Sequence, residues 1–337
     1  MHFTSIERTV RYMRSQRPPQ RWTCLQCGIV NRAYREICFI EGCESARVKQ
    51  EEVDKEINGI TEFKDENSHV ICRLSPTFAE RIKADLVFVI QGLVELSPPM
   101  SEEAVQKTTL LQKQMRKGFQ SIQDFHDPVA LWGYTRRKFF SRAITAFELF
   151  RSAKERKVLL NHNEDSFICS IGGGPGNDLF GFLLFQKYCC SGMVDGRTQN
   201  KLHVFDFCSG WQPIVQGVAE LSGYCIDFHT CDISQPLRSE VNRDVCSIAT
   251  SLDNRPLVIV FCYVLNEIMG PHGDPPAMLR DLLTKQRAKK MTILFREPNS
   301  SSLNTIVSRY LWVEGKDYWK LSFGGLAVEL RQEFRED

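Results

Sequence analysis

Phe167-Ile-Cys-Ser-Ile171-Gly172-Gly173-Gly174-Pro-Gly176-Asn-Asp178, followed by Leu179-Phe-Gly-Phe-Leu-Leu-Phe185, decides how the rest of this chain is read. A short apolar run reads as a buried strand, the glycines as a tight turn, and the second apolar run as a buried helix. A strand, a glycine turn and a helix in that order let backbone amides approach a ligand closely, because a side chain on the turn would stand in the way. The spacing is Gly-x-Gly-x-Gly through Gly172, Gly174 and Gly176. The dinucleotide fingerprint Gly-x-Gly-x-x-Gly is not met, since Asn177 occupies the place of its third glycine.

Downstream, strands and helices alternate. Leu202-His-Val-Phe-Asp206 is a second strand ending in an acid placed to bond the two hydroxyls of a ribose, and Trp211 to Leu221 is the following helix. Cys225 to Thr230 is a third strand, ending near Asp232, whose carboxylate can accept from an adenine amino group. The almost continuous apolar run Leu257-Val-Ile-Val-Phe-Cys-Tyr263 is the pattern of a central parallel strand buried on both faces. It leads into Val264-Leu-Asn266-Glu267-Ile268. A helix from Pro275 to Ala288, a strand from Met291 to Phe295 with Arg296-Glu297 behind it, and a closing hairpin within Tyr318 to Leu330 complete the series. The expected fold is α/β, an open doubly wound Rossmann-like sheet whose ligand sits beyond the carboxyl ends of the strands.

From Ser166 to about Arg331 this succession resembles the class I S-adenosylmethionine-dependent methyltransferases, with Ser-Ile-Gly-Gly-Gly-Pro-Gly matching that family's first motif. The resemblance implies S-adenosyl-L-methionine as cofactor. It implies that Gly172, Gly173, Gly174, Gly176 and Tyr263 surround it, that Asp206 holds its ribose and that Asp232 holds its adenine. Ser170 stands where the family often has an acid that positions the methionine ammonium, so a water, Asp178 or the backbone takes that role. Methyl transfer needs an in-line approach and no covalent intermediate, so positioning does most of the work. The Asn/Asp-Pro-Pro-aromatic motif of amine methyltransferases is replaced here by Cys262-Tyr-Val-Leu-Asn-Glu-Ile268, which disfavours adenine or cytosine amino groups as acceptors. Asn266 and Glu267, flanked by Arg296 or Glu297, are the candidate catalytic residues for a ring nitrogen or hydroxyl acceptor.

Upstream, Trp22-Thr-Cys24-Leu-Gln-Cys27 with Cys38 and Cys43 gives two short-spaced thiol pairs, the arrangement with which a chain wraps one tetrahedral zinc. The stretch Arg21 to Arg47 resembles the Ran-binding nuclear-pore type of zinc finger, whose members bind single-stranded RNA or proteins such as ubiquitin. Arg32 stands at that family's stacking aromatic and Tyr34 at its first arginine, leaving Arg35 in place. Base specificity does not follow, but Arg32, Tyr34 and Arg35 can still stack on bases. The other nine cysteines read as buried or surface thiols.

Charge is partitioned along the chain although the formal net charge is only +2. Residues 1–50 hold nine Lys/Arg against four acids, residues 51–66 hold seven acids against two lysines, and residues 107–157 hold twelve Lys/Arg against four acids. Arg8, Arg11, Arg14, Arg17 and Arg21 form a basic arm, or, as the alternative, a mitochondrial targeting helix. Between 73 and 160 the apolar spacing predicts helices. One contains Ile82, Leu86, Val89, Ile90, Leu93 and Leu96 and stops at Pro98-Pro99; a second opens at Ser101-Glu-Glu-Ala; a third spans Val129 to Val158. In the third, Leu131, Tyr134, Phe139, Ile144, Phe147 and Phe150 face a core while Arg136, Arg137, Lys138 and Arg142 face outward, where the first three are candidate RNA contacts.

The expected organisation is a basic arm (1–20), a four-cysteine zinc finger (21–48), an acidic linker (49–72), a helical region suited to substrate docking (73–160) and a methyltransferase-like domain (161–337). No run of 18 apolar residues and no secretory h-region is present, so no membrane association is expected, and the location is read as intracellular, nuclear or cytoplasmic. The leading functional reading is a zinc-containing RNA methyltransferase acting on ribosomal or transfer RNA. An inactive methyltransferase-fold assembly factor that binds RNA or protein, and a protein methyltransferase, are the alternatives.

Overall fold

The computed structural model of the 337-residue chain describes residues 21–23, 30–32, 61–64, 70–99, 101–117, 127–159, 165–190, 200–251, 255–264, 276–284, 291–297, 304, 318–320 and 325–330. Near the amino terminus, β1 (Arg21–Thr23) pairs antiparallel with β2 (Val30–Arg32). Cys24, Cys27, Cys38 and Cys43, together with Tyr34 and Arg35, lie outside the described residues, so the finger expected there rests on sequence alone.

The sheet grows outward from β5 (Phe167–Ile171), which pairs in parallel with β6 (Lys201–Asp206) on one side and β8 (Leu257–Cys262) on the other. β7 (Ile226–Thr230) extends the β6 edge, while β9 (Met291–Arg296) continues beyond β8, both in parallel. β11 (Gly325–Leu330) lies antiparallel against β9, and β10 (Tyr318–Lys320) antiparallel against β11. The order β10-β11-β9-β8-β5-β6-β7 is that of a doubly wound, Rossmann-like sheet, with one reversed strand inserted near its far edge. The chain leaves β5 toward β6 and β7 and later returns to β8, so the topological switch point falls between β5 and β8.

Alternation along the strands divides the interior into two layers. Ile168, Val204, Val260 and Leu294 point to one side, against α1 (Pro76–Leu96), α3 (Pro128–Glu155), α4 (Asn177–Cys189) and α5 (Gln212–Ser222). Phe167, Cys169, Ile171, Phe205, Phe261 and Phe295 point to the other, against α6 (Arg243–Thr250) and α7 (Ala277–Thr284). Each central strand supplies both layers, which is why β5 and β8 read as uninterrupted apolar runs.

α1 begins with Pro76 in its first turn and ends before Pro98, as the prolines predict. α2 (Glu102–Lys117) opens on Glu102 and Glu103, which suit the positive end of a helix dipole. Asp127 caps α3 by accepting from Val129 N at 2.9 Å. α4 is buried on all sides from Asn177 to Phe185, because it lies between the sheet and α3. At Gly181 a Cβ would stand 2.5 Å from the Ala143 carbonyl oxygen, so only glycine permits that helix spacing.

Two differences from the sequence expectation share one cause. Residues 61–74, read within and beside an acidic linker, contain an antiparallel hairpin of β3 (Thr61–Lys64) and β4 (Val70–Leu74), with Phe63, Cys72 and Leu74 in the main core. This hairpin packs against α3 on a second face beside the one that α4 covers, and every residue from Ala143 to Ala153 is buried. A single outward face, as the basic positions suggested, therefore does not persist along α3. Within this enclosed stretch Arg151 pairs with Glu148, Nη2 to Oε1 at 2.8 Å and Nε to Oε2 at 2.7 Å, and Cys72 Sγ donates to Glu148 Oε2 at 3.2 Å. Among the described residues no helix is long and apolar enough to cross a membrane.

Candidate functional site

At the carboxyl ends of β5, β6, β7 and β8 a cavity of about 630 Å³ opens at the switch point. Its floor is the turn after β5. Gly172 has φ +65°, and a Cβ there would lie 2.5 Å from Cγ2 of Val264, so both backbone conformation and space require glycine. Gly172 N donates to the Phe205 carbonyl at 2.7 Å, tying the turn to β6. Gly174 N donates to Asp206 Oδ2 at 3.0 Å, and Cys208 N donates to Asp206 Oδ1 at 3.0 Å. Two fixed amides thus aim this carboxylate and leave lone pairs on both oxygens for a ligand in the cavity. Burial pushes Asp206 up to about 6, against the opposing pull of those amides.

Asp178, in the first turn of α4, also lines the cavity. Its Oδ2 accepts from Ser170 Oγ at 2.8 Å and its Oδ1 from Asn177 Nδ2 at 2.7 Å. Burial lifts it to about 6, while Ser170 and the charge of Arg142 pull it down. Ser170 itself is fully buried beneath the turn, its hydroxyl holding the acid that faces the cavity. The pair therefore places a carboxylate at the end of β5 even though the strand residue is not acidic.

Asp232, beyond β7, lines the opposite side. Its Oδ1 accepts from Ser234 N at 2.9 Å and Ser234 Oγ at 2.6 Å. Asn242 fixes its backbone: Asp232 N donates to Asn242 Oδ1 at 2.9 Å, and Asn242 Nδ2 donates back to the Asp232 carbonyl at 2.8 Å. Tyr263, directly after β8, holds φ +62°, a left-handed conformation uncommon outside glycine and found where surrounding structure enforces it. Its amide donates to the Arg296 carbonyl at 2.7 Å, its hydroxyl lies 3.3 Å from Thr145 Oγ1, and the Arg142 guanidinium sits 3.1 Å above its ring centroid.

Arg142 is the main correction to the sequence reading of this site. Expected on the outward face, it is half-buried and lines the cavity, because α3 passes over the carboxyl ends of the strands. Tyr134 on the same helix packs edge-on to the buried Trp211 with centroids 5.7 Å apart, and both rings reach the cavity wall. Phe207, 37% exposed and immediately after Asp206, lines it too. These aromatic walls were missed in the sequence. The signal available was position, since Phe207 and Trp211 directly follow the acid that ends the second strand.

Of the other expected site residues, Gly172, Gly173, Gly174, Asp178, Asp206, Asp232 and Tyr263 converge on the cavity, while Gly176 lies behind Pro175 with φ +81° as the residue preceding α4. Arg296 and Glu297 are not among the described residues lining it; Glu297 is buried at the end of β9. Asn266 and Glu267 lie outside the described residues. Among the candidate RNA contacts, Arg136 turns back to α1, donating through Nη2 to Ser97 Oγ and, at 3.3 Å, to the Pro98 carbonyl. Arg137 is exposed and donates to Thr109 Oγ1 at 3.3 Å, Lys138 is half-buried, and Arg32 lies in β2.

No protein-family model and no curated protein matches the chain. Among solved structures it is similar to an O-methyltransferase family protein from Burkholderia thailandensis, at 12% identity over 72% of each chain with a TM-score of 0.39. It is similar to PigF with SAH at 9% identity over 68% of this chain and 69% of that one, TM-score 0.38. A third similar structure is M. capricolum TrmK in complex with S-adenosyl-homocysteine, at 14% identity over 56% of this chain and 68% of that one, TM-score 0.30. Likeness at these TM-scores carries no inference about the reaction.

Proposed function

We propose that the chain is an S-adenosylmethionine-dependent methyltransferase whose acceptor is RNA. The observation that carries this reading is the convergence on one cavity of a side-chain-free turn and of carboxylates at the ends of three adjacent strands: Asp178 through Ser170 on β5, Asp206 on β6 and Asp232 beyond β7. The residues present fit the cofactor's chemistry. Gly172 to Gly174 leave room for a ligand against the backbone; Asp206 has lone pairs for a ribose diol; Asp232 accepts an exocyclic amine; and Asp178 with Arg142 offers opposite charges for an amino-acid zwitterion. The exposed ring of Phe207 offers a face for a base.

When bound, the cofactor supplies an electrophilic methyl group on a positively charged sulfur. The chain's part is placement. Amides of Gly174 and Cys208 hold Asp206, Ser170 and Asn177 hold Asp178, and Asn242 holds the Asp232 backbone, so each acceptor is aimed before a ligand arrives. Tyr263, locked between the Arg296 carbonyl and Arg142, forms the wall at the β8 end, and the acceptor would enter on that side. RNA as the acceptor is supported by the basic arm and the cysteine cluster in the sequence and by the position of exposed Arg137 on α3, the helix that also carries Tyr134 and Arg142 into the cavity.

The test is transfer of tritiated methyl from S-adenosylmethionine to total RNA and to total protein by the full chain. Nuclease-sensitive label is expected. Protease-sensitive label would replace RNA by protein as the acceptor. Cofactor binding with no transfer to either would favour an assembly factor that kept the fold.

A further inference from the structure

We propose that His203, Asp227 and His229 form a binding site for one divalent transition-metal ion of the zinc class, on the β6–β7 edge of the sheet and distinct from the amino-terminal cysteine cluster. The parallel register sets His203 beside Asp227 and Phe205 beside His229, and alternation along each strand brings all three ligand side chains to one face. His203 Nδ1 lies 3.1 Å from His229 Nε2 and 3.7 Å from Asp227 Oδ2, and the three donor atoms all lie within 4.8 Å of one another. Four-coordinate zinc with metal–nitrogen bonds of about 2.0–2.1 Å separates its ligand atoms by about 3.3 Å. Only a modest movement, chiefly of the exposed Asp227, would bring this set to that geometry.

One of the two histidines has the outer support that a metal ligand needs. His229 Nδ1 lies 2.9 Å from Asp244 Oδ2 on α6, and a carboxylate on the distal nitrogen fixes the ring so that the Nε2 lone pair faces the proposed ion. The rings themselves are held by stacking: His229 lies on Phe205 at 4.9 Å and 18°, and His203 on Phe167 at 6.0 Å and 23°. A plain histidine–histidine hydrogen bond accounts for the 3.1 Å contact but leaves Asp227 too far from His203 to bond. Metal binding would replace that hydrogen bond: as Nδ1 of His203 gives up its proton, Nε2 of the same ring takes one up, so His203 binds as neutral imidazole with no net release of a proton. Three protein ligands leave a fourth position for water on the exposed side. The same two strands carry Asp206 and lead to Asp232, so an ion here would clamp the strand pair that presents both acids to the cavity.

The experiment compares the full chain, thiols kept reduced, with Asp227→Asn and His229→Gln after equilibration with zinc and removal of the excess. Metal analysis is expected to show one fewer equivalent in each variant than in the parent, with the variants' circular dichroism unchanged. Asp227 is 57% exposed at its side chain, so Asp227→Asn keeps the test open even where His229→Gln fails to fold. Asp244→Asn is expected to weaken zinc binding by about tenfold or more without removing a ligand. Substitution with cobalt(II) identifies the ligands: the equivalent lost in the variants should lack thiolate-to-metal charge-transfer absorption. Equal metal content in parent and Asp227→Asn, or thiolate absorption for all bound cobalt, would overturn the proposal.

Discussion

Replacing Asp206 by Asn separates recognition from folding. In the parent, both carboxylate oxygens accept from backbone amides, Gly174 N and Cys208 N, each at 3.0 Å. An asparagine side chain keeps one acceptor and turns an NH2 toward the other amide, so one donor opposes another. At the same time a buried negative charge is removed. Burial has raised Asp206 from 3.8 to about 6, and holding it ionised at pH 7 destabilises the empty protein by about 3 kcal/mol. That shift is already net of the pull of the amides, so the neutral side chain should leave stability at pH 7 unchanged or raise it by up to about 3 kcal/mol. Ligand binding has no such compensation. Two charge-assisted bonds to a ribose diol would be lost or weakened, about 3 kcal/mol together and thus more than a hundredfold in affinity. Isothermal titration with S-adenosylmethionine, alongside thermal unfolding, reads both quantities. An Asp206→Asn variant that binds within threefold of the parent would refute the role given to this carboxylate.

Asp178 and Asp206 both sit near 6, above their unfolded values, so between about pH 4 and 6 the native state binds more protons than the unfolded chain. Their contribution therefore makes the empty protein less stable as pH rises through that window, whereas cofactor affinity, which needs the ionised acids, should be at least about tenfold higher at pH 7 than at pH 5; calorimetry across that range checks the second sign. Gly172→Ala adds left-handed strain of about 1–2 kcal/mol and a Cβ 2.5 Å from Val264, which overpacks by about 1–3 kcal/mol, so a loss of about 2–5 kcal/mol is expected in denaturant titration. Glu148→Ala leaves Arg151 charged in the core beside Cys72 and should cost about 3–5 kcal/mol, while Glu148→Met combined with Arg151→Met should recover much of it.

The sheet was legible because its signals are local. β5 and β8 declare themselves as apolar runs ending at a glycine turn and at Tyr263, and Asp206 and Asp232 fall where strands stop. What could not be seen depends on partners distant in sequence. The β3–β4 hairpin lies in an acidic stretch whose buried residues, Phe63, Cys72 and Leu74, are too few to show a strand period until α3 is placed against them. Arg142 looked solvent-facing because helical periodicity assumes one buried side, whereas α3 is covered by α4 and by that hairpin and then crosses the cavity. At Ser170 the sequence left a water, Asp178 or the backbone as substitutes for the acid, and the turn brings Asp178, eight residues on, against Ser170 through a 2.8 Å bond. The pairing of His203 with His229 required the β6–β7 register, which no spacing in the sequence encodes.

The most direct trial of the central claim is calorimetric titration of the unmodified full chain with S-adenosylhomocysteine, with NAD as the control nucleotide. The account predicts a single site of about micromolar affinity, roughly −8 kcal/mol, that the control does not compete for. No binding at millimolar ligand, or equal binding of NAD, would contradict it.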